Sequence, residues 1–401
     1  MIAAFLLPFP VRGYRAPYLW LYYRLLHSFG ERLSFIVTSD YLRPPESWAA
    51  EGRWEMQEIS AHRLGYEIPT PQRMAEHDYG LLSDDVFAEL LSAHGGNPVA
   101  VFKAMLTRRI PLLERALADA LSSHPAAKLD AILTWCNCPS LNAVAEERGI
   151  RVMHLELGPL RWPDYRPTAY LDFTGVNGNT EAELRYLRSG FRGANWPTRR
   201  LRRFFANQDV QPRPADFDLG VVLQVEDDSN LIAFGNGFDN QSLLVHAQLN
   251  HSRQRRLVRT HPGSQFALRP GPYVVDESPN SIEFIQRCRR LLTINSSVGL
   301  EALLLDVSVK TLGDCSYRHV AEAEAHEQSG RLAHYLFAYL VPMDLIFSPA
   351  YLRFRLANPG EDQIVLRHIA AYLGNRAVAE SAQTAMEAIA AVLPADGFSA
   401  S

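Results

Sequence analysis

The sequence predicts an α/β protein of two Rossmann-like domains facing a central cleft. Three observations carry this. Apolar β-type runs alternate with helical periodicity through the first half, the pattern of a parallel sheet covered on both faces. The alternation restarts after a polar, proline-containing connector at 208–216. A chain of 401 residues with 47% hydrophobic and 21% charged content suits two globular domains.

In chain order, residues 2–7 read as a first buried strand, followed by a loop and an aromatic helix. Residues 33–38, 131–134 and 152–155 are the next strands, and helical spacing is clearest over 99–123 and 142–147. A basic helical stretch at 180–207 leads to the connector. Beyond it, strands are expected at 219–223, 257–260, 273–275, 291–294 and 309–312. Helices are expected at 240–250, 281–288 and 299–305, and an Ala-rich helical segment covers 361–393. This places an N-terminal Rossmann-like domain at 1–207, rejoined by 361–393, and a C-terminal one at 208–360. The ending ADGFSAS suggests a module excised from a longer protein.

A formal net charge of −4 offers no global positive field for nucleic acid, so an anionic ligand must be held by local cations and backbone amides. The four cysteines are Cys136, Cys138, Cys288 and Cys315, and Cys-Asn-Cys fits neither a zinc knuckle nor a redox pair; buried thiols in a reducing compartment are expected. The apolar start is interrupted by Pro8 and Pro10 and has no leading basic region or cleavage site. With no stretch near the roughly 18 apolar residues of a membrane span, a cytoplasmic protein is expected. P-loop, dinucleotide, HExxH and GxSxG patterns are absent, and Asp227-Asp228 is an adjacent pair rather than DxD, so metal-free chemistry is expected.

Ligands of doubly wound domains bind beyond the carboxyl ends of the strands, where four polar clusters fall. The first is LQVEDDSN at 223–230. Its aspartates and serine suit helix capping, but three successive carboxylates should raise the pKa of at least one, and one of them can attack an anomeric carbon. The second, RTHP at 259–262, aims His261 from a strand end, either as a packed ring or as a phosphate contact or acid. The third, TINSSVGLE at 293–301, is a turn into a helix. Its serines can cap, or can join the first-turn amides in an anion site, and Glu301 can complete a capping box or bind a ribose. The fourth runs from His154 through Glu156 and Arg161 to Gly178. Glu156 can act as base on an acceptor hydroxyl, and Arg161 can grip a carboxylate. Tyr14, Tyr18, Trp20, Tyr22 and Tyr23 form an aromatic group suited to packing or to stacking on sugars.

In this order and spacing, QVEDDS at 224–229, RTHP at 259–262 and INSSVGLEA at 294–302 resemble bacterial retaining β-Kdo glycosyltransferases: the KpsC-type capsule enzymes and the Kdo-transferase module of WbbB-type O-antigen proteins. WCNCPS at 135–140, ELGPLR at 156–161 and GVNG at 175–178 are similar to the WbbB-type group. The resemblance spans about residues 130–320. It implies a GT-B-like variant that uses CMP-β-Kdo by double displacement, without metal or other cofactor. Carried over, it implies Asp228 as nucleophile, with Asp227 as the competing assignment, Glu156 as acid/base and His261 at the donor phosphate. Ser296, Ser297 and the amides around Gly299 would hold that phosphate, and Glu301 the ribose. Gln224, Ser229, Asn230 and Arg161 would line the sugar site. The implied partners are the CMP-sugar, a glycan acceptor, lipid-linked, and further glycosyltransferase modules in a longer chain at the inner membrane face, with no nucleic acid. A different CMP-sugar transferase, a silent binding module and a two-domain nucleotide-sugar epimerase are the rival readings.

Overall fold

The computed structural model describes residues 1–7, 14–30, 33–122, 129–210, 213–374 and 382–393. It divides into two compact units: 1–156 with 172–175 and 344–357, and 157–171 with 176–343 and 358–401. The expected connector includes residues 211 and 212, and the ADGFSAS ending covers 395–401; these lie outside the described residues.

The first unit is built on β1 (Ile2–Phe5), β2 (Ser34–Val37), β3 (Asp78–Leu81), β4 (Ala131–Thr134) and β5 (Arg151–Leu157), in spatial order β5-β4-β1-β2-β3 with parallel pairing. Every residue of β1, β2 and β4 is buried, as expected of strands covered on both faces. The aromatic group at 14–23 mostly packs. Tyr22 and Tyr23 are fully buried, and Tyr22 meets Phe35 edge-on at 4.9 Å. Only Tyr14 is strongly exposed. The single helix expected over 99–123 is two, Pro98–Thr107 and Pro111–Ser122. Pro111 has no N–H to continue the first helix and opens the second.

The second unit contains β6 (Thr168–Asp172), β7 (Leu219–Val222), β8 (Arg256–Arg259), β9 (Val274–Val275), β10 (Arg290–Thr293), β11 (Ser308–Thr311) and β12 (Val341–Pro342). Strands β7 to β11 form a parallel sheet of order β11-β10-β7-β8-β9, the same doubly wound order as in the first unit. Side chains alternate between two cores: Leu219, Val221, Val258 and Leu292 on one face, Val222, Leu257 and Leu291 on the other. Strands β6 and β12 pair antiparallel.

The division differs from the one expected from sequence. The helices Ala182–Arg188 and Thr198–Phe205 bury Tyr186, Leu201, Phe204 and Phe205 in the second unit's main core, so the boundary does not fall at 207. The C-terminal helices belong there too. Val365, Ile369, Ala385, Ala388 and Ile389 share that core, and Glu361 takes a two-pronged ion pair from Arg185 at 2.7 and 2.9 Å. Burial opposes the Glu361 charge, but His334 and Arg185 hold its carboxyl far below the usual carboxylate range.

Candidate active site

In the second unit the chain runs outward from β7 through β8 to β9, then returns to β10 on the other side of β7. The loops after β7 and β10 therefore flank the switch point at which such sheets bind ligands. These are the loops carrying QVEDDS and INSS.

A buried amide network joins them. Gln224 Nε2 donates to Asn295 Oδ1 at 2.8 Å, and Asn295 N donates to Gln224 Oε1 at 3.1 Å. Asn230 Nδ2 donates to the Asn295 carbonyl at 2.9 Å, and Asn295 Nδ2 returns a bond to the Asn230 carbonyl at 3.0 Å. Asn240, at the start of the helix Asn240–Asn250, brackets the Gln224 backbone with bonds of 2.9 and 2.7 Å. Gln224 is buried and faces Asn295. The structure thus corrects its expected place in the sugar site: it is a positioning residue that sets the spacing of the two loops.

Around this scaffold the acidic residues diverge. Asp228 caps the helix Ser229–Phe234, accepting from Asn230 N at 2.8 Å through Oδ1, and is half-buried, as are Asp227 and Ser229. Glu226 turns toward the loop after β8, where Ser264 Oγ and the Gln265 amide donate to it. Burial is the largest single influence and favours its neutral form, but the hydrogen bonds together prevail and hold Glu226 below its usual range. The same loop carries His261, exposed, whose Nδ1 accepts from Gly263 N at 2.9 Å. That bond puts the neutral ring's proton on Nε2, so His261 is set to donate through Nε2.

Beyond β10, Ser296 Oγ accepts from Val298 N at 3.3 Å, a local cap, whereas Ser297 makes no side-chain cap. Gly299 is required by packing: a Cβ there would collide with the Tyr317 hydroxyl, which donates to the Ser296 carbonyl at 2.5 Å. Glu301 departs from expectation. It completes no capping box, is 7% exposed, and accepts from Ser281 Oγ at 2.6 Å. Burial pushes its carboxyl up to about 7, against the opposing pull of Ser281, Tyr165 and Arg161. An interior carboxyl of this kind is not an open ribose ligand, and that assignment is corrected. Arg161 folds back so that Nε donates to the Gly158 carbonyl at 3.0 Å, which leaves less of its fork for a carboxylate than the sequence suggests.

In the first unit, Glu156 lies near the end of β5, half-buried, and its charge reaches Cys136 in the loop after β4. All four cysteines are free and buried. Burial pushes the Cys138 thiol up to about 12, so it is no nucleophile. Sequence reasoning missed Asn240 and Tyr317. It also missed a polar cavity of about 420 Å³ in the second unit, lined in part by Asn179, Asp314, Ser316, Arg318 and Arg331. An asparagine at a helix start and a lone tyrosine carry no linear pattern that marks them.

Residues 4–181 match the glycosyltransferase 99 family N-terminal domain, and residues 183–321 match the capsule polysaccharide biosynthesis protein family. Together the two matches support a glycosyltransferase of capsule-type polysaccharide synthesis. Among solved structures it is similar to the β-Kdo 2,7 transferase of Thermosulfurimonas dismutans KpsC, with 18% identity and a TM-score of 0.41 over 61% of this chain and 90% of that one. The β-Kdo 2,4 transferase of the same protein shows 16% identity and a TM-score of 0.39 over 57% and 87%. The UDP-GlcNAc 2-epimerase of Methanocaldococcus jannaschii shows 14% identity and a TM-score of 0.30 over 80% and 86%. No curated protein matches. None of the described helices of this glycosyltransferase is long and apolar enough to cross a membrane.

Proposed function

We propose that this glycosyltransferase is a retaining β-Kdo transferase that uses CMP-β-Kdo to extend a lipid-linked capsule or O-antigen glycan. The observation that carries the reading is the pairing of Gln224 with Asn295, which holds the two switch-point loops together and presents Asp228 beside them. A capping aspartate uses Oδ1 on a backbone amide and is thereby oriented.

In the first step a carboxylate oxygen of Asp228 attacks C2 of Kdo. The bond from C2 to the phosphate oxygen breaks, and CMP leaves with the electron pair. His261 Nε2–H donates to the departing phosphate, and the Ser296 and Ser297 hydroxyls bind its oxygens. Glu156 then takes the proton of the acceptor hydroxyl, whose oxygen attacks C2 and releases Asp228. Two inversions give net retention. Ser229 and Arg161 border the sugar, Asn230 supports the loop through Asn295, and Asp227 is the alternative nucleophile.

The test is intact-protein mass spectrometry after incubation with freshly generated CMP-Kdo and no acceptor, on the native chain and on Asp228→Asn. Asparagine caps helices about as well as aspartate, so this change removes the nucleophile and keeps the cap. A gain of one Kdo that maps to Asp228 and is absent from the variant supports the reading. An adduct on Asp227 moves the nucleophile by one residue. No adduct and no CMP release, with or without glycan acceptors, sinks it.

A further inference from the structure

The second unit holds a cavity of about 290 Å³ between the helix Asn240–Asn250, strand β8 and the loop 266–273. It is walled by aliphatic side chains, by Phe266 and Tyr273, and by the polar residues Gln241, Gln248, Arg256 and Arg269. Two arginines line it, and no aspartate or glutamate is among the described lining residues. Arg256 opens β8, whereas His261 follows the opposite end of that strand, so this cavity is not the site built on Asp228.

Arg256 is the anomaly. It is 5% exposed, and its Nη1 and Nη2 donate to the carbonyls of Ala247 and Pro272 at 3.3 and 2.8 Å, both cavity-lining residues. Its Nε is buried and donates to nothing, and its described guanidinium bonds go only to carbonyls, not to a carboxylate. A buried cation held only by neutral carbonyls, with a donor left over, is uncompensated. An anion in the adjoining cavity would compensate it, with Arg269 at the rim as a second cation.

The rest of the lining narrows the chemistry. Side-chain amides suit hydroxyl groups, and aromatic rings suit the C–H face of a sugar. A volume at the lower end of small-molecule pockets takes one ring rather than a nucleotide sugar. We propose that this cavity binds a single acidic sugar ring, a uronic or ulosonic acid residue, with its carboxylate on Arg256 and Arg269 and its hydroxyls on Gln241 and Gln248. The site is independent of the double-displacement reading. It would give a polysaccharide-synthesising protein a hold on acidic glycan apart from the reacting sugar.

Calorimetric titration of the full chain with glucuronate, and with glucose as the neutral control, tests this. Saturable glucuronate binding is expected, with glucose about tenfold weaker or more, because charge-assisted bonds to arginine are lost. Arg269→Gln and Arg256→Lys should each weaken glucuronate by about tenfold, and Asp228→Asn should leave it unchanged. Arg269 is exposed, so its variant tests the site even if the Arg256 variant fails to fold. The proposal is overturned by the absence of saturable binding, by equal affinity for glucose and glucuronate, or by binding that survives Arg269→Gln and disappears in Asp228→Asn.

Discussion

Replacing Glu301 by glutamine should make the protein more stable at alkaline pH and leave it nearly unchanged in mild acid. Glu301 is buried, and its carboxyl is pushed from the ordinary 4.5 to about 7, chiefly by loss of solvent. Between those values the folded chain keeps a proton that the unfolded chain has released. Stability is therefore greatest below the unfolded value and falls as pH rises toward 7. At 1.36 kcal/mol for each unit, the loss at pH 8 is about 3 kcal/mol. Glutamine has the shape of the protonated acid and can still accept from Ser281, but it never ionises. Urea unfolding of both proteins from pH 5 to pH 8 is the assay, read as the difference between them. Buried histidines such as His319, pushed down to about 3 by burial, titrate alike in both and cancel. The reasoning fails if the difference stays flat across that range, or if the variant is the less stable protein at pH 8.

Other consequences are as direct. Gly299→Ala should destabilise by about 1–3 kcal/mol by driving Tyr317 off the Ser296 carbonyl; adding Tyr317→Phe removes the colliding oxygen and should restore part of the loss in thermal unfolding. Asp276, with a fully buried side chain, accepts from Arg259 at 2.5 Å and Arg287 at 3.2 Å, so Asp276→Ala should cost about 3–5 kcal/mol in urea by stranding two cations. Gln224→Leu leaves buried Asn295 groups without partners and should cost about 1–3 kcal/mol, with donor turnover falling as well; full stability or full turnover would contradict the positioning role.

Much of the fold was legible because both sheets are covered on both faces. Strands such as β1 and β7 are then continuous apolar runs, and β7 runs almost directly into a polar loop. The three strands that escaped notice lack that contrast. Strand β3 reads Asp-Tyr-Gly-Leu, β12 is two residues long, and β6 lies inside a stretch whose polar residues drew attention instead. The unit boundary was misplaced because the helix Thr198–Phe205 is rich in arginine. Its buried side, Leu201, Phe204 and Phe205, is three residues wide, and periodicity cannot say which sheet such a face will meet. Likewise the motif loops were visible as motifs, but a motif does not say which of its members face the ligand.

That distinction divides the second unit's site. Gln224, Asn230 and Asn295 point at one another, and a bidentate amide ladder between neighbouring loops tolerates little displacement, since each shift breaks more than one buried bond. Asp228 and His261 lie outside the ladder: Asp228 Oδ1 accepts from the Asn230 amide, and His261 Nδ1 accepts from the Gly263 amide. At Asp228 that bond orients the carboxylate through one oxygen. The amide residues therefore set the geometry from which the proposed nucleophile, Asp228, would act. Activity should accordingly be lost in two separable ways. Asp228→Asn should abolish turnover while urea stability stays within about 0.5 kcal/mol, because the cap persists. Asn295→Ala should lower stability and turnover together. If the first variant also unfolded early, Asp228 would be a structural residue, and the nucleophile would have to be sought at Asp227.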